Sequence, residues 1–202
     1  MTLPHPNFPP LLGDGEGRFR VHIVGNSVGI TLARILGVPY VSMDRVMWKP
    51  GWKETPAEEF RAQLRAELDQ DPRGWIADGN YDNRGGRIAF EESTDVIWLD
   101  PPLALYLPRL LLRTFWRLLR LTEPCSPGCK ERFSEVFFSK KSIIVWCITR
   151  HFPIRKRLED RIPEYGLIEG RNAEKRKMRR IGGWGGDLKK WLKDVEDMFR
   201  SN

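Results

Sequence analysis

The stretch Arg20-Val-His-Ile-Val-Gly-Asn-Ser-Val-Gly-Ile-Thr-Leu-Ala33 decides how this chain folds. Arg20–Val24 reads as a short buried strand, and Gly25 stops it. A helical pattern follows from about Thr31 to Leu36 and closes at Gly37. A strand that turns at glycine into a helix brings backbone N–H groups and the positive end of a helix dipole to one point, which suits an anion. The full phosphate-loop pattern, G-x-x-x-x-G-K-[ST], also needs a Lys on the outer phosphates and a hydroxyl for Mg²⁺. Here Gly29 follows Gly25 one position early, Ile30 stands where Lys belongs, and Thr31 keeps the hydroxyl. Two readings stand: a phosphate loop or its remnant built from Gly25, Asn26, Ser27, Gly29 and Thr31, or an ordinary tight turn between strand and helix.

Working outward, the same alternation recurs. Val38–Met43 is apolar enough for a second strand, closed by Asp44. Trp48-Lys-Pro-Gly-Trp52 is a rigid turn with two aromatics. Thr55-Pro-Ala-Glu-Glu59 starts a helix, with Thr as cap, Pro at the first position and acids in the first turn. Phe60, Leu64 and Leu68 supply its apolar stripe. Gly74–Asp78 is a third strand, leaving through Gly79-Asn80-Tyr81, and a short helix over about Arg84–Glu91 precedes a fourth, Asp95–Asp100, stopped by Pro101-Pro102. Leu105–Leu121 predicts a helix with Arg109, Arg113, Arg117 and Arg120 on neighbouring turns. Further helices are expected over Phe133–Cys147, Ile154–Tyr165 and Asp187–Phe199, the last after a basic run, Lys175–Arg180, and the turn Gly182–Gly186.

Strands alternating with helices imply right-handed βαβ units and a parallel sheet, whose ligands bind beyond the carboxyl ends of the strands. The polar candidates fall at those ends: Gly25–Thr31, Asp44, Asp78–Tyr81 and Asp100. The fold class is therefore α/β, three layers, with a parallel sheet of about five strands. Residues 1–17, with four prolines and three glycines, read as a disordered tail, and 18–202 as a single domain.

The chain has 202 residues, 41% hydrophobic, with a formal charge of +7. This supports one core and suits anionic partners: nucleotides, phosphorylated small molecules, nucleic acid or a membrane surface. No apolar run reaches the roughly 18 residues of a membrane span. Three cysteines cannot all pair, and no signal peptide is evident, so the expected setting is reduced and cytoplasmic. Cys125 and Cys129 form C-x-x-x-C, but a tetrahedral zinc site would have to recruit Cys147 and His151, so zinc is not expected. Trp48, Trp52 and Trp75 suit either base stacking or packing. His22, within a buried strand, reads as structural.

Asp44 with Trp48-Lys-Pro-Gly-Trp52, then Trp75-Ile-Ala-Asp-Gly-Asn-Tyr81, then Ile97-Trp-Leu-Asp-Pro101, resembles the adenylate-kinase-related P-loop proteins named as DNA topology modulation proteins. The resemblance covers roughly residues 20–120 of the sequence. It implies a nucleoside-monophosphate-kinase-like P-loop NTPase domain with a helical lid-like insertion over about 121–170. It further implies ATP and Mg²⁺ as cofactors and phosphoryl transfer to a small, nucleotide-like acceptor. On that resemblance Asp44 contacts the acceptor, Asp78 with Thr31 holds the Mg²⁺ shell, Arg109 and Arg113 reach phosphates, and Trp48, Gly79, Asn80 and Tyr81 line the acceptor side. Read without it, Asp44 and Asp78 serve equally as turn residues, and the arginines as a solvated face. The chain departs from the family in the missing Lys and in a shorter stretch between the first loop glycine and the glycine closing the helix. That crossover is near the lower limit of about 10–12 residues, short enough to put the docking of its helix in question. Loss of the Lys predicts weakened transfer, because phosphoryl transfer rests on positioning and electrostatics. Two alternatives are an inactive kinase-fold binding protein and a basic nucleic-acid-associated protein; the latter has only charge behind it.

Overall fold

The computed structural model describes residues 8–25, 28–124, 126–129 and 143–200. Five strands, β1 (Phe19–Val24), β2 (Tyr40–Ser42), β5 (Gly74–Asp78), β6 (Asp95–Leu99) and β7 (Met178–Ile181), form one parallel sheet in the order β2-β5-β1-β6-β7. A small antiparallel hairpin, β3 (Trp48–Lys49) and β4 (Lys53–Glu54), stands apart from it. The helices are α1 (Gly29–Leu36), α2 (Met43–Met47), α3 (Ala57–Leu68), α4 (Arg87–Glu92), α5 (Leu103–Leu118), α6 (Ile143–Glu159), α7 (Ile162–Tyr165) and α8 (Gly186–Arg200).

The layers follow from the period of two along each strand. Val21 and Ile23 of β1 and Ile97 and Leu99 of β6 face one side. There they meet Leu32 and Ala33 of α1 and Trp191 and Val195 of α8. Val24, Val96 and Trp98 face the other side and pack with Phe90 of α4 and Leu158 of α6. Next to them Trp75 and Ala77 of β5 bury against Phe60, Leu64 and Leu68 of α3. This is the expected three-layer α/β arrangement. The short crossover does not prevent docking: Leu32 is fully buried and Val24 only 3% exposed. Burying a Leu or Val side chain contributes about 1.5–3 kcal/mol, and Gly37, at φ 66°, ends α1 in the left-handed conformation its tight exit requires.

Several expected boundaries move. The second strand is only Tyr40–Ser42, because Met43, buried against Gly79 and the α3 core, already begins α2. The first helix starts at Gly29 rather than Thr31. The arginine helix runs Leu103–Leu118 with Pro108 inside it. The described part of the following region is one helix, α6, passing through Pro153 and held by buried Cys147 and Leu158, and then the short α7. Residues 133–142 of the expected Phe133–Cys147 helix lie outside the described residues. The basic run contains a strand that its charges conceal: Met178 and Ile181 of β7 bury on opposite faces. Arg179 and Arg180 lie between them on this edge strand, where charge is tolerated. The cations of the run take internal partners. Lys177 donates to the carbonyls of Phe90, Glu91 and Ser93, Arg179 to Pro9 O, and Arg180 pairs with Asp100.

The described part of the N-terminal segment is not a free tail. Leu11 is 1% exposed within the α1–α8 core. The N–H groups of Leu12 and Gly13 donate to the Asp95 carboxylate at 2.7 and 3.0 Å, and Trp191 Nε1 donates to Pro10 O at 2.9 Å. Residues 1–7 lie outside the described residues.

Candidate functional site

All five strands of the sheet end on one edge, at Val24, Ser42, Asp78, Leu99 and Ile181. The chain leaves β1 toward β2 on one side and leaves β6 toward β7 on the other. The connections therefore diverge between β1 and β6, and that is where a parallel sheet opens a crevice. Gly25 turns the chain there at φ 126°, and a Cβ on it would come within 2.6 Å of Leu99 O, so the close approach of β6 demands glycine whatever else the turn does.

Gly29 begins α1 directly beside Asp78. A Cβ at Gly29 would fall 2.4 Å from the Tyr40 ring and 3.1 Å from Asp78 Oδ2. The Tyr40 hydroxyl donates to that oxygen at 3.2 Å. Burial, then the nearby Asp44 carboxylate, push Asp78 up to about 7, against the Tyr40 hydrogen bond and the Arg113 guanidinium, which lower it. Burial and Asp78 in turn hold the Tyr40 phenol above its ordinary value, so it remains a donor. Arg113, on α5, is half-buried with its Nε enclosed, and it is the cation that acts on Asp78.

Asp44 is exposed in the first turn of α2, and its Oδ1 accepts from the Tyr81 hydroxyl at 2.5 Å. Gly79 leaves β5 at φ 140°, where a Cβ would meet Met43. Its N–H donates to Ile23 O, and its carbonyl accepts from His22 Nε2 at 2.8 Å. Burial holds His22 below its ordinary pKa, which leaves a neutral ring able to donate from Nε2. His22 is thus structural, pinning the turn that carries Asp78 and Asn80.

The structure brings together Gly29, Asp78, Asp44, Tyr81 and Arg113 from four separate elements and a turn. It does not bring Arg109 to them. Arg109 is exposed at the rim of a cavity at the ends of β6 and β7, walled by Leu99, Tyr106 and Ile181 and by the glycines at 182, 183 and 185. Thr31 is exposed one turn into α1, and Ile30, where a Lys would stand, is 57% exposed. Asn26 and Ser27 lie outside the described residues, as does Cys125. Trp48 packs against the α3 core and stands edge-to-face with Trp52 at 5.7 Å. Its carbonyl accepts from Ser126 Oγ at 2.6 Å, part of a clasp between the hairpin and residues 126–129. Trp48 is therefore a packing residue rather than a member of the polar cluster. Asp100 belongs to an ion cluster with Arg180 and Arg155, a structural role.

No protein-family model, curated protein or solved structure matches this chain.

Tyr40 is the residue the sequence reading passed over. It lies 38 residues from Asp78 in a strand whose sequence signal is its apolar character, and its hydroxyl in a largely apolar run is the available signal. Chemically the cluster offers a helix N-terminus without an acidic residue in its first turn, two carboxylates, two phenols and one guanidinium. Among the described residues no group of three or more His, Cys, Asp or Glu stands ready as a metal cage. A Mg²⁺ ion needs fewer, since it is commonly held by one or two carboxylates and completed by phosphates and water. Asp78 fits that demand: it is a desolvated carboxylate beside a second one, and an added cation would relieve both.

Proposed function

We propose that the chain binds a nucleotide or a similar phosphorylated small molecule at the carboxyl edge of its sheet, as a P-loop kinase-like protein with weakened phosphoryl transfer. The observation that carries this reading is the convergence of the α1 N-terminus, Asp78, Asp44 and Arg113 at the carboxyl ends of β1, β5 and β2. The α1 N–H groups receive a phosphate. Arg113 supplies the charge that the absent Lys would have supplied, and a guanidinium can bind a phosphate with two parallel hydrogen bonds. Asp78 holds Mg²⁺ when the Mg-nucleotide is present, and the metal neutralises charge on the transferring group. Asp44, oriented by the Tyr81 hydroxyl, faces an acceptor hydroxyl.

A second reading, a kinase fold that binds without transferring, is favoured by Ile30, whose exposed side chain leaves the Lys position without charge. The test is a thermal-shift titration with Mg-ATP, Mg-ADP and AMP, repeated with Arg113→Ala. A saturable rise in Tm, about 2.7 kcal/mol of stabilisation at a hundredfold excess over Kd, is expected for the parent and is lost in the variant. No rise up to millimolar ligand in folded protein overturns the proposal. A rise without ATP turnover selects the second reading.

A further inference from the structure

The helix pair α5–α6 carries an apolar surface that the site does not use. On α5, Leu112, Phe115, Trp116 and Leu119 recur at i, i+3, i+4 and i+7, which places them along one side. They are 55, 46, 40 and 51% exposed. That side points away from Leu110 and Thr114, which are buried. On α6, Ile148 and Phe152, at i and i+4, are 46 and 66% exposed, while Cys147 is buried. The helices touch through Cys147 Sγ, which donates to the Tyr106 hydroxyl at 2.7 Å, and through the His151 and Tyr106 rings. Exposed apolar residues scattered singly need no explanation, whereas contiguous stripes mark an interaction surface.

The charge on the pair indicates the partner. α5 contains no acidic residue but has Arg109, Arg113 and Arg117, with Arg120 just beyond its end. On α6, Arg155 is taken up by Asp100 and Glu159, and Arg150, Lys156 and Arg157 carry the remaining charge with no further acid on the helix. Leu, Phe and Trp on one side, arginine along the flank and almost no carboxylate make up the composition of a helix lying in a membrane interface. Trp sits well at headgroup depth, and guanidinium groups pair with phosphate. Among the described residues no helix is long and apolar enough to cross a membrane, so the contact would lie on the surface.

We propose that the exposed side of α5, with Phe152 of α6, docks on an anionic lipid bilayer. Phe115 and Trp116 enter the boundary between headgroups and acyl chains, while Arg117 and Arg120 meet lipid phosphates. The test is co-sedimentation of the full chain with phosphatidylcholine vesicles, with and without phosphatidylglycerol, at low and high salt. Anionic vesicles should be favoured by about tenfold or more, and salt should weaken the binding. Phe115→Ala/Trp116→Ala and, separately, Leu112→Gln/Leu119→Gln should each reduce binding about tenfold or more with the melting curve retained. Arg117→Gln/Arg120→Gln should remove the preference for anionic lipid. Equal binding to neutral and anionic vesicles, absence of binding, or parent-like binding by both folded apolar variants overturns the proposal. So does a dimer in sedimentation velocity that either apolar pair breaks, which would assign the face to a second copy of the chain.

Discussion

Asp78 is where this chain departs most from what stability alone would select. A carboxylate at a strand end beside a helix N-terminus should titrate low. Burial and Asp44 instead raise it to about 7, against roughly 3.9 in an unfolded chain. Between those values the native state keeps a proton that the unfolded chain has released. Stability therefore falls as pH rises from about 4 to about 7 and levels off above that window. Asp78→Asn removes this slope, and at pH 8 it should stabilise the fold by about 1–3 kcal/mol, since a partly buried carboxylate feels less than the full shift. Thermal melts of parent and variant across that range check it. An unchanged slope would mean that Asp78 ionises near its ordinary value. The gain in stability should come with loss of the nucleotide-dependent shift, the usual exchange at a functional residue. The Asp-Gly pair at a strand end was readable from the sequence. The phenol that hydrogen-bonds it, and the arginine that tempers it, were not, because neither is near it in the chain.

At the scale of elements, composition misled the reading at both edges of the fold. Residues 8–17 are rich in proline and glycine, yet the segment is a strap over one face of the sheet, held by Leu11 and by backbone donors to Asp95. A compositional average does not register one well-placed leucine. Leu11→Ala should lower stability by about 2–4 kcal/mol, the cost of a cavity at a fully buried leucine, as measured by denaturant unfolding. A change below about 0.5 kcal/mol, ordinary for a surface site, would return the segment to a tail. The last strand was hidden in the opposite way, by Arg179 and Arg180 between its two buried residues. An edge strand has one unpaired side and room for long charged side chains, so its alternation is weaker than that of β1 or β6. Arg180 stacks over the Trp98 ring at 4.5 Å and pairs with Asp100, so its charge is spent within the fold.

For the molecule as a whole, the decisive fact is the strand order β2-β5-β1-β6-β7, because it sets Gly25 at the point where the connections diverge. The shortened crossover remains long enough to dock α1, since Leu32 and Ala33 reach the core from a helix of only eight residues. On the proposed reading, what this turn lacks is charge at the N-terminus of that helix. Replacing the turn with a full Gly-x-Gly-Lys-Ser-Thr loop and a longer first helix should raise ATP affinity about tenfold or more, by returning a cation and several N–H donors. Titration calorimetry of the redesigned chain checks this, and no gain would sink the idea that the turn is a phosphate loop in reduced form.

The α/β class, four of the five sheet strands and the polar residues at their carboxyl ends were determined by the sequence alone. Hydrophobic period and turn chemistry are local properties, and a glycine or aspartate that ends an apolar run is visible within a few residues. Which of those ends meet was decided only in three dimensions. Arg113 acts on Asp78 while Arg109, one helical turn away, stands at the rim of another cavity. The raised Asp78, the Tyr40 donor and the concealed fifth strand likewise depend on desolvation and on contacts between residues far apart in the chain, which no window along the sequence contains.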